Sequence, residues 1–159
     1  MGFMERQSRV QDTRRLTEQL NELFFSQTLA VLSTNEGEQP YCNLIAFAAT
    51  DDIRSLIFAT NRATRKFTNL MSNSRVSLLI DNRSNKVADF HSAMAVTATG
   101  WAAEIPDQDK VDYLKLFLSK HPHLEDFVMS PGCALLRVCV EKYYIVTRFQ
   151  NVMVFTIEG

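Results

Sequence analysis

The sequence predicts a mainly β protein, an antiparallel β-barrel with helices attached, in one domain. Three observations predict it. About six or seven short apolar segments, set off by turn residues, recur along the chain. Few helical stretches interrupt them. Most of the segments also follow one another too closely for parallel crossovers, which need a dozen or more connecting residues.

Each element is justified locally. Leu16, Leu20, Leu23 and Phe24 recur at helical spacing, with Asp12 or Thr13 as the expected N-cap. Leu29 to Ser33 is a short apolar strand, Asn35 to Glu38 a turn, and Tyr41 to Ala49 a second strand. After Thr50-Asp51-Asp52, Ser55 to Ala59 makes a third strand, and a short helix covers about Thr64 to Met71. Arg75 to Asp81 is a fourth strand and Asn82 to Lys86 a polar loop. Ala93 to Glu104 alternates as a strand, in which Gly100 marks a bulge or a close backbone approach. Pro106-Asp107 opens a helix with Val111, Leu114, Phe117 and Leu118 on one packing stripe, and His121-Pro122 stops it. A helical turn over His123 to Met129 and two strands, Ala134 to Thr147 and Val152 to Ile157, complete the chain.

Composition narrows the function classes. With 159 residues, 46% hydrophobic and 22% charged, the chain has enough apolar surface for one packed core. The expected organisation is a single domain over residues 1–159, with 1–28 a helical segment and 29–159 the barrel. The formal net charge of -1 gives no general pull toward nucleic acid or an anionic membrane, so an anion site must be a local cluster. No apolar run reaches the roughly 18–20 residues that span a bilayer. No signal-peptide pattern opens the sequence, and Arg6 occupies the position where myristoylation needs Ser or Thr. Cys42, Cys133 and Cys139 form no C-x-x-C, so free buried or half-buried thiols in a reducing cytoplasm are expected.

Chemistry concentrates where the third strand meets the second helix. Between Thr60 and Lys66 lie Arg62, Arg65 and Lys66, flanked by the hydroxyls of Thr60 and Thr64. A helix start presents unpaired backbone N–H groups and partial positive charge, which with Arg and Lys suits a phosphate. Arginine adds a bidentate contact and lysine a point charge. The spacing alone is also met by a solvated basic helix face with a Thr cap. Neither a P-loop nor a dinucleotide fingerprint is present.

The ordered set Pro40-Tyr41-Cys42-Asn43-Leu44-Ile45-Ala46-Phe47, Ile57-Phe58-Ala59-Thr60-Asn61, Thr64-Arg65-Lys66-Phe67-x-Asn69-Leu70 and Arg75-Val76-Ser77-Leu78-Leu79-Ile80 resembles the flavin-binding core of the pyridoxamine 5′-phosphate oxidase-like family. The resemblance covers about Leu29 to Ile105. It implies a six- to seven-stranded antiparallel split β-barrel with short peripheral helices, forming a homodimer with FMN between the subunits. Carried over by position, it assigns Thr64, Arg65 and Lys66 to the phosphate, with Ala59 and Thr60 along the phosphate and ribityl chain. Asn43, Leu44 and Ile45 would border the isoalloxazine ring, and Arg62 would reach the same anion. The implied activity is an FMN-dependent oxidoreductase acting on a small-molecule redox substrate, with a flavin carrier or sensor as the non-catalytic alternative. The oxidase's C-terminal Arg-x-His is missing, and Leu44 stands about where that enzyme has an Arg, so pyridoxamine phosphate is not the expected substrate.

Other ligands of the same barrel stay open: haem, for which His91, His121 or His123 would be the ligand, and the deazaflavin F420. Trp101 is read as packing on the barrel, and Tyr143 and Tyr144 as residues of a sheet face.

Overall fold

The computed structural model describes residues 3–159. Helix α1, Phe3–Ser26, precedes the first strands β1, Leu29–Glu36, β2, Gln39–Ala49, and β3, Ser55–Asn61. Helix α2, Arg65–Ser72, leads into β4, Arg75–Asp81, and α3, Asp89–Ser92, into β5, Met94–Glu104. After α4, Lys110–Lys120, a 3₁₀ turn at Pro122–Leu124 and α5, Glu125–Met129, the chain ends on β6, Cys133–Thr147, and β7, Asn151–Thr156.

The strands lie in the order β3-β2-β1-β4-β5-β6-β7, and β3 also pairs with β6, which closes six strands into an antiparallel barrel. Strand β6 makes closure possible by its length. Its first half, Cys133 to Cys139, pairs with β3, its second half, Lys142 to Thr147, pairs with β7, and β5 lies along its other edge. The barrel interior is filled by alternate side chains, among them Leu32, Phe47, Phe58, Leu78, Val96, Leu136 and Tyr143, all fully buried. A second cluster, Ile57, Ile105, Phe117, Val128 and Leu135, holds α4 and α5 against the outside of β3 and β6. No described helix is long and apolar enough to cross a membrane.

Gly100 marks both features expected of it. The β5–β6 register shifts between Thr99 and Gly100. A Cβ built on Gly100 would lie 2.0 Å from the Cys139 carbonyl oxygen.

Several local expectations change. Helix α1 runs from Phe3, well before the Asp12 or Thr13 cap. Residues 6–15 are exposed throughout, so no apolar stripe announces them; only Leu16, Leu20, Leu23 and Phe24 dock on the barrel. Helix α4 begins at Lys110 because residues 107–109 form turns. In its expected stripe Phe117 is buried, but Val111 is 61% exposed, since the helix offers its C-terminal half to the barrel. Trp101 stands on the outer sheet face and is 39% exposed. The adjacent tyrosines divide by strand alternation: Tyr143 is buried and donates to the Ile53 carbonyl at 2.6 Å, whereas Tyr144 faces outward. Cys133 is buried and Cys139 half-buried as expected, but Cys42 is exposed because its parity on β2 points away from the core.

His121 is an unannounced core residue. It follows α4, is fully buried, and holds Nε2 2.8 Å from the Phe47 carbonyl oxygen. A carbonyl only accepts, so Nε2 carries the proton and Nδ1 is a bare acceptor, with no partner among the described residues. Burial holds its pKa below the ordinary histidine value, against the opposing effect of the Phe47 bond. Below pH ~6.5 the unfolded chain therefore binds a proton that the folded one resists, and stability falls as pH falls, by at most about 1.4 kcal/mol per pH unit for one proton. Urea unfolding of the wild type and of His121→Gln at pH 7.5 and 5.5 is expected to show a larger acid loss in the wild type. Equal losses would remove His121 from the acid response.

Candidate functional site

The β3–α2 junction is built by local hydrogen bonds. The Asn61 side chain accepts from the Ala63 N–H at 2.8 Å, and its carbonyl accepts from the Thr64 N–H at 3.2 Å and the Thr64 hydroxyl at 2.8 Å. Thr64 is extended, at φ -84 and ψ 155, and its Oγ1 accepts from the Phe67 N–H, which makes it the N-cap of α2. The Thr60 and Thr64 hydroxyls are 2.9 Å apart. This frame leaves the backbone N–H groups of Arg65 and Lys66 without a partner among the described residues. Two aligned donors at a helix start, each on a residue with a cationic side chain, form a site for an anion.

The second half of α2 fixes its position. Asn69 and Thr34 are both buried, and the Asn69 Nδ2 donates to the Thr34 hydroxyl at 3.0 Å, which ties the helix to β1. Thr34 carried no signal in the sequence; its importance comes from standing beneath α2. Asn69 was already part of the recognisable pattern.

The predicted residues fall into three groups. Thr60, Thr64, Arg65 and Lys66 gather at the junction, with Ala59 half-buried beside them on β3. Arg65 lies 3.4 Å from Glu36 and over the Tyr41 ring at 5.4 Å, so the β1–β2 hairpin sets its direction. Lys66 is half-buried and takes part in none of the ion pairs among the described residues.

Asn43, Leu44 and Ile45 form the second group, in the middle of β2. Leu44 points outward and is 68% exposed, while Ile45 is 4% exposed in the core. The buried Oδ1 of Asn43 has no partner among the described residues. A lone buried acceptor is costly unless a donor reaches it.

Arg62 is the third group, and the structure leads it elsewhere. Its guanidinium donates to the Cys133 carbonyl at 3.0 Å and pairs with Glu104, while its N–H bonds to the Gly132 carbonyl at 2.9 Å. These contacts brace the β3–α2 turn against β5 and β6. The residues that claim Arg62 lie 42 to 71 positions away in sequence, which no local spacing reveals. Nearby, burial pushes the Cys133 thiol pKa up, with Arg62 opposing it, so this cysteine stays protonated. No group of three potential metal ligands occurs among the described residues.

The fold and the junction define a class: a closed six-stranded antiparallel barrel with a Thr-capped helix start that presents Arg65 and Lys66. Comparison with known proteins gives the particular family. The model of the pyridoxamine 5′-phosphate oxidase family matches residues 16–147, and the chain belongs to that family. No curated protein sequence matches it. Among solved structures, a heme binding protein from Mycobacterium smegmatis superposes with a TM-score of 0.78 at 14% identity, covering 88% of this chain and 57% of that one. The present chain thus spans little more than half of that neighbour. A Clostridium acetobutylicum protein related to general stress protein 26, of the pyridoxinephosphate oxidase family, gives 0.70 at 18% identity and covers 90% and 95%. A FAD-binding protein from Mesorhizobium loti gives 0.62 at 18%, covering 78% and 88%. At such identities these likenesses establish the shared split-barrel fold.

Proposed function

We propose that the chain binds FMN as a homodimer and acts as an FMN-dependent oxidoreductase on a small redox substrate other than pyridoxamine phosphate. One observation carries the cofactor reading: the N–H groups of Arg65 and Lys66 at the capped start of α2, without a partner among the described residues and with their cationic side chains beside them. The residues fit the group. Thr64, Arg65 and Lys66 hold the phosphate, Ala59 and Thr60 line its approach, and Arg62 keeps the turn in place through Glu104 and Cys133. The buried Oδ1 of Asn43, without a partner among the described residues, would accept from an N–H of the flavin. Bound flavin supplies the hydride or electron chemistry; the chain contributes position, dipoles and exclusion of water.

The dimer is supported by one row of outward residues. Leu44, Val31, Leu79, Thr97, Tyr144 and Val154 are successive cross-strand neighbours over six strands. Leu44 and Val154 are 68% and 55% exposed, and Val152 on the same face of β7 is 60% exposed. A mostly apolar row that crosses six strands on one sheet face calls for a covering partner. In sedimentation, Leu44→Glu is expected to shift the protein to monomer at micromolar concentration and to lower flavin retention. A variant that stays dimeric and keeps its flavin would take Leu44 out of the interface.

The deciding test is the absorbance spectrum of the purified protein, before and after adding FMN and removing the excess. Flavin bands near roughly 375 and 450 nm, at one per subunit, are expected. A colourless protein refutes the reading. The Mycobacterium smegmatis neighbour, described as a heme binding protein, motivates a second reading. A Soret band on haem addition, lost on replacing one of His91, His121 or His123, would replace flavin by haem.

A further inference from the structure

A cavity of about 470 Å³ lies between α1, α4 and the C-terminal end of β2, away from the β3–α2 junction. That volume is within the roughly 300–1,000 Å³ usual for small-molecule sites. Its walls are mostly apolar, from Phe24, Phe25, Ala48, Ala49 and Leu116, with Lys120 among the lining residues. Phe25 is 88% exposed, an unusual position for a phenylalanine next to an open apolar slot.

Lys120 is the informative residue. Its Nζ donates to the Phe24 carbonyl at 2.7 Å and sits 3.8 Å from the centroid of the Phe47 ring. An ammonium has three donors, and among the described residues the Phe24 carbonyl is its one hydrogen-bond acceptor. None of the ion pairs among the described residues includes Lys120. Burial without an acidic partner pushes its pKa down to about 8. A half-buried ammonium held by one carbonyl and a ring face, with no acidic partner among the described residues, gains further when an anion joins it. Asp51 on the rim adds a negative charge, which disfavours a multiply charged headgroup.

We infer that this cavity is a second ligand site, which takes a monocarboxylate with an apolar body, its carboxylate on Lys120 and its chain against Phe24, Phe25 and Leu116. The inference is independent of the flavin reading, because the two sites share no residue.

The test uses decanoate and decanol as probes on the full chain, by calorimetry and by amide NMR shifts. Decanoate is expected to bind at least tenfold more tightly than decanol, with shifts centred on Phe25, Ala49 and Ser119. Lys120→Met is expected to weaken decanoate at least tenfold, and Lys120→Arg to stay within threefold. Phe25→Ser replaces an exposed side chain and leaves the core intact; it is expected to weaken decanoate several-fold. Equal binding of decanoate and decanol, shifts elsewhere, or undiminished binding in Lys120→Met would each overturn the inference. Should Lys120→Met not fold, undiminished binding in Phe25→Ser or parity of the two probes overturns it.

Discussion

Replacing Arg65 and Lys66 together with alanine is expected to weaken FMN binding at least a hundredfold while the barrel stays folded. Each side chain supplies a charged contact worth roughly 1.5–3 kcal/mol to a phosphate, and every 1.4 kcal/mol is tenfold in Kd. The backbone N–H groups of the two residues survive the change, so binding weakens without vanishing. Folding is spared because Arg65 is an exposed side chain whose contacts are with Glu36 and the Tyr41 ring, and α2 is fastened through Thr64 and through Asn69 on Thr34. Titration of FMN by fluorescence quenching, with circular dichroism as the folding control, reads the result. A folded double variant with unchanged affinity removes the phosphate from α2. Arg62→Ala separates the two roles of this basic cluster. Because Arg62 bonds to Cys133 and Glu104, its loss is expected to lower thermal stability more than FMN affinity.

The largest expected stability effect from a single methyl group is at Gly100. Its added Cβ would meet the Cys139 carbonyl oxygen at 2.0 Å and the carbonyl carbon at 2.9 Å, both backbone atoms of the neighbouring strand. A flexible side chain could turn aside; a strand held in a closed barrel cannot. Gly100→Ala is therefore expected to cost at least the upper end of the roughly 1–3 kcal/mol typical of overpacking, and a clear drop in Tm. A Tm within a degree of wild type would mean that β5 and β6 separate readily at the bulge. That would conflict with β6 serving as the strand that closes the barrel.

The sequence by itself determined whatever depends on neighbours along the chain. Short apolar runs set off by turn residues located the strands of the barrel. Thr64 ahead of Arg65 and Lys66 located the helix cap, because capping acts within three residues. The bulge at Gly100 was legible because glycine is rarely retained inside a strand without need. The ordered motif around Thr60 and Asn69 carried the family.

Tertiary structure decided the rest. Arg62 looked like a third phosphate ligand, but Glu104 and the Cys133 carbonyl take it from distant strands. The first turns of α1 had no apolar stripe to announce them, since residues 6–15 bury nothing. His121 ended a helix in the sequence, yet closure of the barrel carries it beneath the Phe47 carbonyl. No local pattern singles out Lys120, whose ammonium meets the Phe24 carbonyl of α1 from 96 residues away. In each case the deciding partner is brought by strand pairing or helix docking across tens of residues. Local pattern records what a residue prefers, while burial and long-range hydrogen bonds settle which preference is met.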